Sequence, residues 1–185
     1  MANINAPFGF RALAPFYGLT ALSVDSSNAT AVFNGDMIMA ENDGNVAPAT
    51  AGSLLLLGAA EGKTAAAGTA LALNKRLLAA STAGTIMVHY DPNQKYLVQF
   101  GNATPTQTIL FNNADHVATA GSATTGLSQH VLNTSTGTGT AGFKLLDFLV
   151  ADDNDETAAY VRVKVEINEH MQKVITTAGG GPDGI

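Results

Sequence analysis

The stretch AAYVRVKVEIN, Ala158 to Asn168, decides the fold class. Val161, Val163, Val165 and Ile167 fall on one face of an extended chain, and Tyr160, Arg162, Lys164, Glu166 and Asn168 on the other. A period of two with one apolar and one polar face is the signature of a half-buried antiparallel strand. Working outward, further strands are expected at Ala29 to Phe33, Asp36 to Glu41, Ser53 to Ala59, Thr85 to Tyr90, Lys95 to Phe100, Gln107 to Phe111 and Phe143 to Ala151. Turn-forming Asn, Asp, Gly and Pro separate them. Asn42-Asp43-Gly44-Asn45 and Asp91-Pro92-Asn93-Gln94 read as hairpin turns, because Gly accepts positive φ and Pro presets φ at the second turn position. Helix is scarce, with Leu71 to Ala80 and Asn113 to Ala120 as the two short candidates. The expectation is a mainly β chain: a single antiparallel β-barrel or sandwich with an extended N-terminal arm and long neutral loops.

The β-rich body is expected over residues 17–175, and three segments resist a place in its barrel or sandwich. Residues 1–16 contain Pro7, Pro15 and the pair Phe8 and Phe10, which share a face if extended, and read as an arm that lies on another surface. Residues 118–142 carry no Asp, Glu, Lys or Arg and read as a long loop around a short strand at Gly126 to Leu132. Residues 176–185 read as a flexible, Gly-rich tail.

Composition narrows the function. Of 185 residues only 13% are charged, about half the usual share, so much of the surface must be neutral. Nine Lys and Arg against fifteen Asp and Glu, with no basic run, argue against a nucleic-acid partner. The absence of Cys excludes a disulfide framework, a thiol nucleophile and zinc-thiolate sites. The opening MANINAPFGFRALAPF lacks the charged and long apolar regions of a signal peptide, and no apolar run reaches the roughly 18 residues of a membrane span. The expectation is synthesis in the cytoplasm and no membrane partner.

The chemical motifs have plain alternatives. Gly137 to Gly142 matches GxGxxG, but the dinucleotide turn needs a buried strand before it and a helix after it, and here Thr and Ser precede and FKLLDFLV follows. The run Asp152, Asp153, Asn154, Asp155, Glu156 lacks the Gly and distant Glu of a calcium loop and reads as a solvated turn between strands. His89, His116, His130 and His170 never occur as HxxxH, so a metal site would have to be assembled by the fold. Asp115-His116 and Ser128 near His130 are hydrolase-type residues without a nucleophile elbow or HGGG element. No catalytic, cofactor or metal residue is assigned, and no enzyme activity is expected.

Several segments in one order resemble a known pattern. Asn5-Ala6-Pro7-Phe8-Gly9-Phe10-Arg11 is similar to the "NAPFGFRP" start of small structural proteins of tailed bacteriophages. Gly35-Asp36-Met37-Ile38, Asp43-Gly44 and Ala59-Ala60-Glu61-Gly62 resemble their "GD-V", "DG-V" and "GVAEG" run. His89 to Gln99 is similar to "V-DDPDQ-FE-Q", Thr125-Gly126-Leu127-Ser128 to "TGLS", and Val163 to His170 to the "V-V-INEH" finish. The resemblance implies a head decoration, or cement, protein on the outer surface of an icosahedral capsid, commonly a homotrimer. It implies the major capsid protein as partner and the virion as location. The acidic balance suits the outer face, since packaged DNA would repel it. On this reading Asn5, Pro7, Phe8, Phe10 and Arg11 of the arm contact the capsid, with the two Phe as anchors and Arg11 as hydrogen-bonding residue. A tail-fibre or adhesin-type trimeric module is the alternative, with its binding site in loops such as 118–142.

Overall fold

The computed structural model describes residues 2–53, 55–65, 77–137 and 141–173. It is mainly β: β1 (Arg11–Ala12), β2 (Thr20–Val24), β3 (Val32–Phe33), β4 (Met37–Ala40), β5 (Val46–Pro48), β6 (Leu56–Ala65), β7 (Leu77–Leu78), β8 (Gly84–His89), β9 (Lys95–Gln99), β10 (Asn113–Val117), β11 (Val131–Gly137), β12 (Phe143–Phe148) and β13 (Arg162–Ile167). A six-stranded sheet runs β1-β9-β13-β12-β10-β11, a five-stranded sheet runs β2-β8-β6-β4-β5, and β3 pairs with β7. Every pairing between these strands is antiparallel. Each sheet keeps two edge strands, so the arrangement is that of a sandwich and not of a closed barrel.

The sheets meet over one core. Tyr96, Val98, Phe143, Leu145, Val163, Val165 and Ile167 of the larger sheet pack with Met37, Leu56 and Ala59 of the smaller. On the far face of the smaller sheet Ile38, Leu57, Ala60, Ile86 and Val88 pack with Val32 and Leu78 of the β3–β7 pair. Strands β4 and β6 therefore bury both faces, which is why MIMA and LLGAA are apolar without alternation.

The alternation that decided the fold class is observed: Val161, Val163, Val165 and Ile167 are buried while Arg162, Lys164 and Glu166 are only half-buried. The Asn42 to Asn45 turn is a hairpin joining β4 to β5, with Glu41 N–H donating to Asn45 O at 2.9 Å and Gly44 at φ +84°. The Asp91 to Gln94 segment is a turn too, closed by Gln94 N–H to Asp91 O at 3.0 Å. It is not a hairpin, because it carries the chain from β8 in one sheet to β9 in the other.

Other expectations are corrected. Gln107 to Phe111 holds a short 3-10 turn, Gln107–Ile109, instead of a strand. Asn113 to Ala120 is no helix: β10 sits between β11 and β12 and turns Ala114 and His116 inward at strand spacing. The expected loop 118–142 contains β11, an edge strand whose small polar residues need no inner face beyond Leu132. Of the expected helix Leu71 to Ala80, Leu77–Leu78 is the strand β7, and residues 71–76 lie outside the described residues, as does the tail 176–185. Strands β2 and β5 had no sequence expectation.

No projecting N-terminal arm is found. Arg11 and Ala12 pair with Leu97 and Tyr96. Asn3 Nδ2 donates to the carbonyls of Asp155 and Ala159 at 2.8 and 3.0 Å, and Gln99 Nε2 donates to Ile4 O at 2.9 Å. Asn3 and Ile4 thus lie against Gln99 and the 155–159 segment, Phe10 enters the core, and Arg11–Ala12 add an edge strand beside β9. Among the described residues no helix is long and apolar enough to cross a membrane.

Candidate functional site

Phe8 and Phe10 do not share a face. Gly9 adopts φ +74°, and a Cβ there would collide with the Gly35 carbonyl and the Ser128 side chain, so only glycine fits the close approach. That residue turns the chain inward. Phe8 stays half-buried at the surface beneath the Arg11 guanidinium, 5.3 Å from its ring centroid. Phe10 enters the core at 2% exposure and stacks on Phe143 at 4.6 Å between centroids. Asn5 and Arg11 are exposed and Pro7 is half-buried. Of the two rings expected as anchors, Phe10 is thus packed inside the molecule and Phe8 remains partly at the surface.

The insertion point is a junction of distant segments. Phe10 N–H donates to Gly35 O at 2.8 Å, Gly35 N–H to Ala60 O at 2.7 Å, and Ser128 N–H to Asn34 O at 2.9 Å. Asp36 closes the corner between β3 and β4 by accepting Phe33 N–H on Oδ2 at 2.8 Å. Beside it, His130 Nδ1 accepts Met37 N–H at 3.4 Å, so the proton sits on Nε2, which faces Asp36 Oδ1 at 3.5 Å. The His116 ring lies 5.2 Å from that of His130 and 6.1 Å from Phe10. Burial pushes the Asp36 carboxyl up to about 6, against the hydrogen bonds from Phe33 and Ser128. Burial, with His116 adding to it, pushes His130 down to about 3, and burial lowers His116 as well. Close approach alone would suggest an ion pair, yet both shifts favour uncharged forms. The contact is a neutral imidazole facing the carboxyl at 3.5 Å without a hydrogen bond, which leaves Asp36 Oδ1 buried and without a hydrogen-bond partner.

None of this is open to a substrate. Ser128 is fully buried and its Oγ accepts His130 N–H at 3.0 Å. His170 is buried with Nε2 on Leu57 O at 2.8 Å, and its Nδ1 accepts Gln172 N–H at 3.0 Å. His89 is buried beneath Phe16, with Nε2 3.4 Å from Glu61. Among the described residues no group of three or more His, Asp or Glu side chains is placed to hold a metal ion. The acidic run is a turn between β12 and β13. Asn154 is buried there, donating to Leu149 O at 2.7 Å and accepting Arg162 N–H at 2.8 Å, while Arg162 pairs with Asp153. Of the GxGxxG match, residues 138–140 lie outside the described residues, and Gly137 ends an edge strand instead of opening a helix.

What the surface offers is apolar. Phe16, Tyr17 and Leu19 are 63%, 53% and 45% exposed within four residues, on the connection between β1 and β2. Sequence reasoning passed over them, since they show neither alternation nor a chemical motif. Pro15, immediately before them, was the one signal that regular pairing stops there. Comparison with family models, with curated proteins and with solved structures yields no match.

Proposed function

We propose that the protein is a structural virion protein that decorates the outer surface of an icosahedral phage head, bridging neighbouring capsomers and stabilising the shell. The observation that supports this is where the resembling segments lie. Asn5 to Arg11, Gly35-Asp36, Ala59-Ala60 and Thr125 to Ser128 meet at the one junction around Asn34 to Asp36, so four of the seven resembling segments belong to one structural unit, while Asp43-Gly44, His89 to Gln99 and Val163 to His170 lie elsewhere in the two sheets. The contact with the major capsid protein is assigned to the Phe16, Tyr17 and Leu19 strip, because large apolar side chains left in water are the residues that gain most from being covered. A sparsely charged surface on a small sandwich suits a homotrimer, in which each copy covers a patch of the next.

The test is co-sedimentation with decoration-free heads, with light scattering on the free protein. The wild type is expected to bind and to scatter as a trimer. Replacing Phe16, Tyr17 and Leu19 together by Ala is expected to weaken binding at least ~100-fold, since each covered ring or branched chain contributes about 1.5–3 kcal/mol. Undiminished binding by a folded triple variant overturns the assigned surface; no binding by the wild type overturns the function.

A further inference from the structure

The buried titratable groups of the junction have no part in that contact surface. Asp36, His130 and His116 lie in one line of contacts that ends on Phe10, the ring by which residues 2–13 are seated in the core. The groups facing the two imidazoles are Asp36 and the Ser128 hydroxyl from the β3–β4 corner and the 126–130 segment, and Asp115 beside His116 on β10. Glu169, after β13, is buried nearby and is pushed up by burial and by the Asp115 charge. The N-terminal segment and β12 bring only Phe10 and Phe143, which carry no charge. One buried carboxylate thus stands against two buried imidazoles.

We propose that this cluster is an acid-sensitive latch: proton uptake at His116 and His130 unseats Phe10 and releases residues 2–13 from the body while both sheets stay folded. Two cationic rings 5.2 Å apart in an apolar enclosure repel and are not solvated, and Asp36, pushed up to about 6, loses its own charge in the same acid range. The element that yields is the one held least. The N-terminal segment has a two-residue strand at a sheet edge, whereas β10 lies between two strands and the Asp36 corner is tied into β6 through Gly35 and Ala60.

The sign follows from the direction of each shift. An imidazole held below its ordinary 6.5 in the seated form stabilises that form fully above pH 6.5, and the contribution is lost as pH falls toward the seated value, about 3 for His130. Asp36, raised from 3.8 to about 6, acts in the opposite sense: protonation on the way down relieves its burial and offsets one imidazole. The other has only the half-buried Asp115 beside it, so over the pH range in which it stays neutral while seated, seating weakens by up to tenfold per pH unit.

Amide hydrogen exchange on the full chain, corrected for intrinsic rates, tests this. Phe10 and Leu13 N–H, bonded to Gly35 O and Lys95 O, should lose protection between pH 6.5 and 4.5, by more than ~10-fold and at most tenfold per pH unit. Leu145 and Phe100 N–H, bonded to Asn112 O and Val161 O, should keep theirs. His116→Gln should cut the loss at Phe10 to below ~10-fold. Should that variant not fold, the wild-type imidazole NMR resonances serve instead: both rings stay neutral until Phe10 exchanges and then titrate with it. Loss of protection at all four amides together, an unchanged loss in His116→Gln, or imidazole titration while Phe10 stays protected each overturns the latch.

Discussion

Phe10→Ala is expected to lower the stability of the folded protein by about 3–5 kcal/mol, the range for truncating a buried Phe whose cavity cannot collapse. The ring stacks on Phe143, meets Tyr96 edge-on at 6.4 Å between centroids and touches His116, so its loss opens space between residues from three strands. In urea the midpoint should fall by about 1–2 M at unchanged slope. Phe8→Ala, which removes a half-buried ring covered by one guanidinium, should cost less than ~1.5 kcal/mol. Deleting residues 2–12 should then be worse than Phe10→Ala alone, because it also strips β1 from the edge of the larger sheet and takes away the Ile4 carbonyl that holds Gln99. A deletion variant with the wild-type midpoint would restore the picture of an arm that projects from a self-sufficient body.

That contrast shows what the sequence could and could not say. Where burial is one-sided, the pattern is in the chain itself: β13 was legible from four alternating apolar residues, and the Asn42 to Asn45 hairpin from the position of its glycine. Where one face is absent or both are covered, alternation vanishes. Strand β11 buries Leu132 and little else, so VLNTSTG reads as loop, and β10 offers Asn113, Asp115 and His116 to a periodicity that apolar residues alone would carry. Gly9 escaped for another reason. Phe8 and Phe10 share a face only where the backbone is extended, and the residue between them is the one that need not be extended. The junction was hidden by distance: His130 meets Met37 across 93 positions, and no local spacing reports such a contact.

The second large effect lies where the sequence was most legible. Val163→Asp is expected to prevent folding. Val163 is fully buried in the main core and pairs with Val98 on one side and Phe148 on the other, so a carboxylate there has no charge partner and no water. Burying it unpaired costs several kcal/mol, which is comparable to the whole stability of about 5–15 kcal/mol expected of a domain. One residue on, Lys164 points to the other face and reaches Asp147 Oδ2 at 2.9 Å with both side chains partly in solvent. Lys164→Asp breaks that pair and sets two carboxylates across neighbouring strands, which at a solvated surface costs about 1 kcal/mol. Circular dichroism melts of the two variants distinguish the faces directly. The expected pair of results is a Lys164→Asp variant that melts within a few degrees of wild type beside a Val163→Asp variant that is unfolded. Equal melting temperatures would mean that β13 does not present Val163 to the core, and the packing of the two sheets over Val163, Val165 and Ile167 would fall with it.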